Sequence, residues 1–317
     1  MKYAILGSGA MGLRFGILLQ QAGYPVDFID TWKPEINTIR KQHGVYVSRD
    51  GKGRHLVKTN IYTPEEYHGD PDILMMETKQ MDLAEMLKRC AHFFKSHQYA
   101  VTLMNGMGHI PKIDKYFPKK HVIAGTALVA SVLNKAGDDD FIGAPDSGSC
   151  NLANQTEKPD ATTKELLKEF GQAHLHPHYT TNFMGMLMSK LILNSVVNTL
   201  CTAFQCQMGQ FISSPAAKPI TIALLNEAFD VCERAGIRLL GTRQKEWAII
   251  HHNAKYEIPK HYPSMCQDMF KGRRTEVDYI NGYFYRLGLK YHNIAHAHHF
   301  AIQLVHLAET LHQLRNK

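Results

Sequence analysis

A chain of 317 residues is long enough for about two domains with a full buried core, and 44% hydrophobic against 21% charged residues is an ordinary globular composition. No apolar run reads as approaching the roughly 18 residues of a membrane span, and no signal peptide is read ahead of the first strand, so a cytoplasmic protein without a membrane partner is expected. The net charge of +7 is spread over clusters no longer than Lys119-Lys120-His121 and Lys271-Gly272-Arg273-Arg274, which speaks against a nucleic-acid partner and for mild steering of a small anion.

The first element is the apolar run Tyr3 to Leu6, followed at once by Gly7, Gly9 and Gly12 and an amphipathic stretch from Ala10 to Leu19. This is G-x-G-x-x-G between a strand and a helix. One glycine permits the tight turn, one lets backbone amides approach a pyrophosphate, and one lets helix pack on strand. The anion would rest on the helix N-terminus, where unpaired N–H groups and the helix dipole favour negative charge. The second strand, Val26 to Ile29, ends in Asp30, 18 positions past the last glycine. An acid there is placed to accept from an adenosine ribose hydroxyl and to repel a 2′-phosphate, which predicts a nicotinamide dinucleotide site with NADH favoured.

Further strand-like runs follow at Ile73 to Met76, Ala100 to Met104 and Val122 to Ala124, in a βαβ rhythm that predicts a mostly parallel sheet covered on both faces. Ligands of such sheets bind beyond the carboxyl ends of the strands, where Glu77-Thr78-Lys79 and Asn105-Gly106-Met107-Gly108 collect. The turn-rich segment 134–154 predicts hairpin strands at the sheet edge, and Thr162 to Phe170 predicts a helix. Beyond 182 helical patterns dominate. The expected fold is therefore α/β, with a Rossmann domain over 1–181 and an all-helical substrate domain over 182–317, closely packed with the cleft between them.

The stretch 183–200 is apolar on nearly every side, which marks a buried helix. Lys190, Asn194 and Asn198 break the rule at i, i+4 and i+8, so they form one polar stripe. Burying an amide without a partner costs about 1–3 kcal/mol and an ammonium more, so the stripe should face a polar partner or a ligand. Late in the chain come Ser264-Met265 and the run from Arg273 to Gly282; Glu276, Asp278 and Asp268 are the acids that could hold the Lys190 ammonium in place.

The glycine motif, Lys79, the Asn105 loop, the Lys190/Asn194/Asn198 stripe, Ser264-Met265 and Thr275-Glu276-Val277-Asp278-Tyr279-Ile280-Asn281-Gly282 together resemble the ketopantoate reductase (2-dehydropantoate 2-reductase) family over essentially the whole chain. The resemblance implies hydride transfer between NAD(P)H and a 2-keto acid, ketopantoate to pantoate. It implies Lys190 as general acid with Glu276 in support, and Asn105, Lys190, Asn194, Asn198 and Ser264 on substrate. For the cofactor it implies Gly7, Ser8, Gly9, Ala10, Met11, Gly12, Asp30, Lys79, Asn105, Ser131 and Glu276. The chemistry agrees, since an ammonium can both stabilise a nascent alkoxide and protonate it. Asparagine can donate to a carboxylate and accept from a hydroxyl without adding charge.

Three positions depart from the family pattern. Asp30 stands where NADPH users commonly carry a basic residue. The Cys-x-Asn-Gly turn that helps hold pantoate is Cys206-Gln207-Met208-Gly209, and Met188 replaces an aromatic residue two positions before the lysine. The chain is also similar to the NAD-dependent D-2-hydroxyacid dehydrogenases of that family, which take bulky substrates such as mandelate. A dinucleotide-binding sensor or scaffold would have no need of Lys190, Glu276 and both asparagines. The apolar helical domain suggests a homodimer. Nineteen histidines, among them His296, His298, His299 and His306, lack acidic or cysteine companions at ligand spacing, so no metal is expected. Six scattered cysteines read as reduced thiols.

Overall fold

The computed structural model describes residues 1–146 and 148–315, and the chain separates into two compact units. The first holds residues 1–104 and 109–183, the second residues 105–108 and 184–317. Among the described residues of the first, twelve strands occur: β1 Tyr3–Leu6, β2 Val26–Ile29, β3 Gly44–Arg49, β4 Lys52–Lys58, β5 Asn60–Tyr62, β6 Ile73–Met76, β7 Tyr99–Thr102, β8 Val122–Ala127, β9 Ala130–Lys135, β10 Asp138–Ile142, β11 Cys150–Asn154 and β12 Pro177–Tyr179. The helices are α1 Ala10–Gln21, α2 Lys33–Gln42, α3 Leu83–Cys90, α4 Ile110–Ile113, α5 Ala161–Gln172, α6 Phe183–Phe204, α7 Met208–Ser213, α8 Ala217–Arg234, α9 Arg243–His252, α10 Ser264–Phe270, α11 Val277–Lys290 and α12 His296–Arg315.

The main sheet runs β12-β11-β8-β7-β6-β1-β2-β5 and is parallel except where β11 lies against β8. Its central strands are buried on both faces, as β1 and β6 show by having no exposed residue, so they read in the sequence as short unbroken apolar runs. Leu13, Phe15, Ile17 and Leu19 of α1 and Leu166 and Phe170 of α5 close over Tyr3, Ile5 and Phe28 to make the core of this unit.

The 134–154 hairpin does not lie where the sequence reading puts it. β9 and β10 pair with each other and, through β3, with β4 in a separate four-stranded sheet, and only β11 joins the main sheet. The sequence reading also passes over β3 to β5, because β4 is exposed almost throughout and shows no apolar periodicity. Arg14 of α1, almost fully buried, fastens this second sheet by donating to the carbonyls of Ala130 and Ile142.

In the second unit α6 corrects a further expectation. Its best 18-residue window has a mean hydropathy of 1.3, enough by length and composition for a membrane span. That window is 72% buried inside the protein, which makes it a core helix.

Candidate active site

In the first unit the turn after β1 forms the candidate nucleotide cradle. A Cβ at Gly12 would meet the Gly7 carbonyl oxygen at 1.9 Å, so only glycine lets α1 sit this close to the loop. Gly9, by contrast, is the N-cap of α1 and has open space where a Cβ would stand. The first intrahelical bond runs from the Leu13 amide to the Gly9 carbonyl at 2.9 Å, which leaves the amides of Ala10, Met11 and Gly12 without a helical acceptor. Beside them the Ser8 hydroxyl is buried and has no hydrogen-bond partner. An open cradle, three helix-start amides and an orphaned hydroxyl fit the pyrophosphate of a dinucleotide.

Asp30 closes the next turn. Its carboxylate accepts from the amides of Ser8 at 2.5 Å, Thr31 at 2.7 Å and Trp32 at 2.8 Å. Three amides occupy most of the roughly four lone-pair sites of a carboxylate, leaving about one for a ribose hydroxyl. Trp32, to which the sequence reading gives no role, follows it as the half-exposed N-cap of α2.

Lys79 is half-buried on the loop after β6, and its carbonyl accepts from the Asp82 amide at 3.0 Å. Next to it Gln80 bonds the Nδ1 of His109 at 2.9 Å, joining the β6 loop to the start of α4. Burial lowers His109 to about 4, so this link stays neutral. Ser131 sits on β9 with its hydroxyl committed to the Asp139 carboxylate at 2.8 Å.

In the second unit Lys190, Asn194 and Asn198 follow one another along α6. Asn194 and Asn198 are buried and Lys190 is half-buried. Burial lowers the Lys190 ammonium to about 8, which brings a proton donor into the physiological range. The 105–108 loop belongs to this helical unit, although it follows β7 in sequence. Gly106 holds φ +79°, and a Cβ there would stand 3.1 Å from the carbonyl oxygen of Tyr279 on α11. The Met107 amide donates to that carbonyl at 2.8 Å, and Asn105 is thereby presented to Asn194, whose amide donates to it at 3.3 Å.

Glu276 is buried at the N-cap of α11. The preceding residue is held from α12, where Glu309 accepts the Thr275 amide at 2.8 Å. Asn281, fully buried one turn into α11, donates to the Ser195 carbonyl at 3.0 Å and accepts from the Thr199 hydroxyl at 2.5 Å, both on α6. Its amide also meets His298 Nδ1 at 3.2 Å, and His298 Nε2 reaches the Leu224 carbonyl of α8 at 3.1 Å. This chain of bonds fixes the rotation of α11 against the helix that carries Lys190. The sequence reading quotes Asn281 within a motif and gives it no role; a lone asparagine in an otherwise apolar helical turn is the signal that could have found it.

Ser264, the first residue of α10, is exposed. Met188 is fully buried, so it acts through core packing. Met208 of the departing turn is buried as well, with its amide on the His261 carbonyl at 3.0 Å. His306 bridges Asp278 and Glu309 at 3.2 and 2.8 Å, and no group of three or more His, Cys, Asp or Glu side chains among the described residues is arranged to hold a metal ion. All six cysteines are free thiols.

A glycine cradle on a parallel sheet, with a lysine and two asparagines along one face of a buried helix, defines a dinucleotide-dependent oxidoreductase. The family model for ketopantoate reductase PanE/ApbA matches residues 3–143, and the model for its C-terminal domain matches residues 182–309. The 2-dehydropantoate 2-reductase of Lactococcus lactis subsp. lactis is 30% identical over 98% of this chain and 99% of its own length. Among solved structures, a D-mandelate dehydrogenase in complex with NADH and anilino(oxo)acetate is 31% identical with a TM-score of 0.92, covering 99% of this chain and 100% of that one. A 2-dehydropantoate 2-reductase from Enterococcus faecalis is 32% identical with a TM-score of 0.71, covering 99% of both chains. The protein belongs to the ketopantoate reductase family and is an oxidoreductase of the NAD(P)-dependent 2-keto acid reductase and 2-hydroxyacid dehydrogenase type.

Proposed function

We propose that the protein reduces the 2-keto group of a small 2-keto acid, ketopantoate to pantoate, with NADH as preferred cofactor. The observation that carries this reading is Lys190, an ammonium brought down to about 8 by burial on a helix whose next two polar residues along the same face are asparagines. Gly7 to Gly12 and Asp30 would hold the dinucleotide, which would supply the hydride for C2 of the keto acid. Lys190 holds a proton for the oxygen of the former carbonyl and offsets the charge that builds there. Asn194, Asn198, Asn105 and Ser264 bind the carboxylate and hydroxyl groups, each donating without adding charge. Glu276 orients the ammonium.

A second substrate reading rests on the turn Cys206-Gln207-Met208-Gly209. Its buried Met208 offers a thioether where the resemblance expects an amide for pantoate, which favours an apolar side chain on the keto acid. The likeness to a D-mandelate dehydrogenase supports the same direction, toward arylglyoxylates. NADH oxidation measured with ketopantoate, phenylglyoxylate and branched 2-keto acids tests both readings. Turnover of none of them overturns the proposal, and a preference for phenylglyoxylate moves the function to the second reading.

The working form is proposed to be a cytoplasmic homodimer, with domains dividing at 181/182. Phe300, Leu307, Leu311 and Leu314 support self-association, for they expose an apolar stripe along α12. Light scattering on the purified chain distinguishes monomer from dimer.

A further inference from the structure

The strand order places β1 between β2 and β6, so the chain winds one way from β1 to β2 and the other way on returning to β6. In open α/β sheets such a switch point is where ligands bind, here beyond the carboxyl ends of β1 and β6. Gly7 stands at the end of one strand and Glu77 at the end of the other. The Glu77 amide donates to the Leu6 carbonyl at 2.8 Å, and a Cβ at Gly7 would lie 2.9 Å from the Glu77 carbonyl carbon. The Glu77 carboxyl reaches the next strand as well, accepting the Leu103 amide just past β7 at 3.1 Å.

A half-buried carboxyl at this position has no ion-pair partner among the described residues. The ionisable groups on neighbouring elements of the unit are Lys79 and Asp82 on its own loop, Asp30 across Ser8, and His109 and Lys112 beyond β7. None of them displaces it: burial raises the Glu77 carboxyl to about 8, and only the Leu103 amide pulls the other way. Asp30 takes the adenosine end at β2 and the start of α1 takes the pyrophosphate, so the other half of a bound dinucleotide runs to the β6 side, where Glu77 stands. The nicotinamide ring is neutral when reduced and cationic when oxidised.

We propose that Glu77 is a proton-linked reader of the cofactor's oxidation state, a neutral carboxyl with the reduced dinucleotide bound and a carboxylate with the oxidised one. The inference rests on the nicotinamide reading of the site. Binding of the oxidised form releases one proton from Glu77 to water; no bond to carbon forms or breaks and no electron moves. By linkage the oxidised form binds more tightly as pH rises, whereas the reduced form gains nothing from the ionised carboxyl. Below neutral pH the protein therefore holds the reductant and lets the spent cofactor go.

The test is the ratio of dissociation constants for NAD⁺ and NADH between pH 6 and 9, measured by calorimetry and by NADH fluorescence on the wild type and on Glu77→Gln. The other charges of the two dinucleotides are alike, so the ratio isolates the ring. In the wild type the ratio should fall about tenfold as pH rises, the equivalent of one pKa unit. In Glu77→Gln, with NADH binding retained, the fall should be at least about threefold smaller than in the wild type, since Lys190, which titrates over the same interval, contributes alike to both. A wild-type ratio that is flat, or a Glu77→Gln ratio that follows the wild type, overturns the inference while leaving the nicotinamide site intact. A wild type that binds neither form overturns the site reading and the inference together.

Discussion

The side chain of Asn194 on α6 donates to the side chain of Asn105 at 3.3 Å, so the loop that leaves β7 is fastened to the same stripe as Lys190. Two residues read separately in the sequence are one hydrogen-bonded pair. Asn105→Ala and Asn194→Ala should each lower kcat/KM, and together they should cost less than the sum, because one bond is counted in both. A coupling of about 0.5–1.5 kcal/mol is expected in a double-mutant cycle on kcat/KM. Strict additivity would show that the pair does not act as a unit.

Burial sets the Lys190 ammonium at about 8, and the proton transfer proposed for reduction requires the protonated form. Reduction of the keto acid should therefore lose kcat/KM as pH rises through about 8. Oxidation of the hydroxy acid, which needs a neutral amine to accept the proton, should gain over the same interval. Rate profiles in both directions check the sign; parallel profiles would assign the titration to another group.

In the proposed cofactor site, the Asp30 carboxylate would meet the 2′-phosphate of NADPH. Like charges near 4 Å at an effective dielectric of about 20 repel by about 4 kcal/mol before relaxation. Side-chain movement and Lys33 should reduce this, and the expected outcome is a preference for NADH of at least about tenfold in kcat/KM, or about 1.4 kcal/mol. Asp30→Ser should shrink that preference without changing which keto acid is accepted. It should also cost stability, since the amides of Ser8, Thr31 and Trp32 lose their acceptor. A wild type that favours NADPH contradicts the assignment.

Two acids fasten the second sheet and should make stability depend on pH. Glu35 accepts the Gly137 amide at 3.0 Å and Asp139 accepts the Ser131 hydroxyl at 2.8 Å, and each leaves its other oxygen buried without a partner. Burial raises them to about 7 and about 8 respectively. The folded chain thus holds protons that the unfolded chain has released above about pH 4. Their contribution is complete below the unfolded values and is lost as pH rises through the folded ones, so Tm should fall between pH 5 and 8.5. Asp139→Asn should flatten that fall; an unchanged slope by calorimetry would remove Asp139 from the account.

The strands β1, β2, β6, β7 and β8 were legible in the sequence because strands buried on both faces are short apolar runs, and the cradle was legible because glycine spacing is dictated by close approach. β4 was not, since its solvent-exposed residues carry no alternation. The stripe on α6 could be read because a helix turns predictable spacing into a shared face. Its partners could not: the passage of the Asn105 loop into the helical unit, the bonds of Asn281 to Ser195 and Thr199, and the place of Glu77 beside Gly7 all join segments far apart in sequence. Asp30 shows a third case, in which the residue type was readable but its three local amide bonds were not.

The central claim is that Lys190 delivers the proton in keto acid reduction, and Lys190→Ala measures it most directly. Steady-state reduction by the alanine variant should lose about 10²–10⁴-fold in kcat, the usual range for a general acid, while NADH binding by fluorescence titration stays within about twofold of the wild type. Near-wild-type turnover with intact cofactor binding would contradict the account.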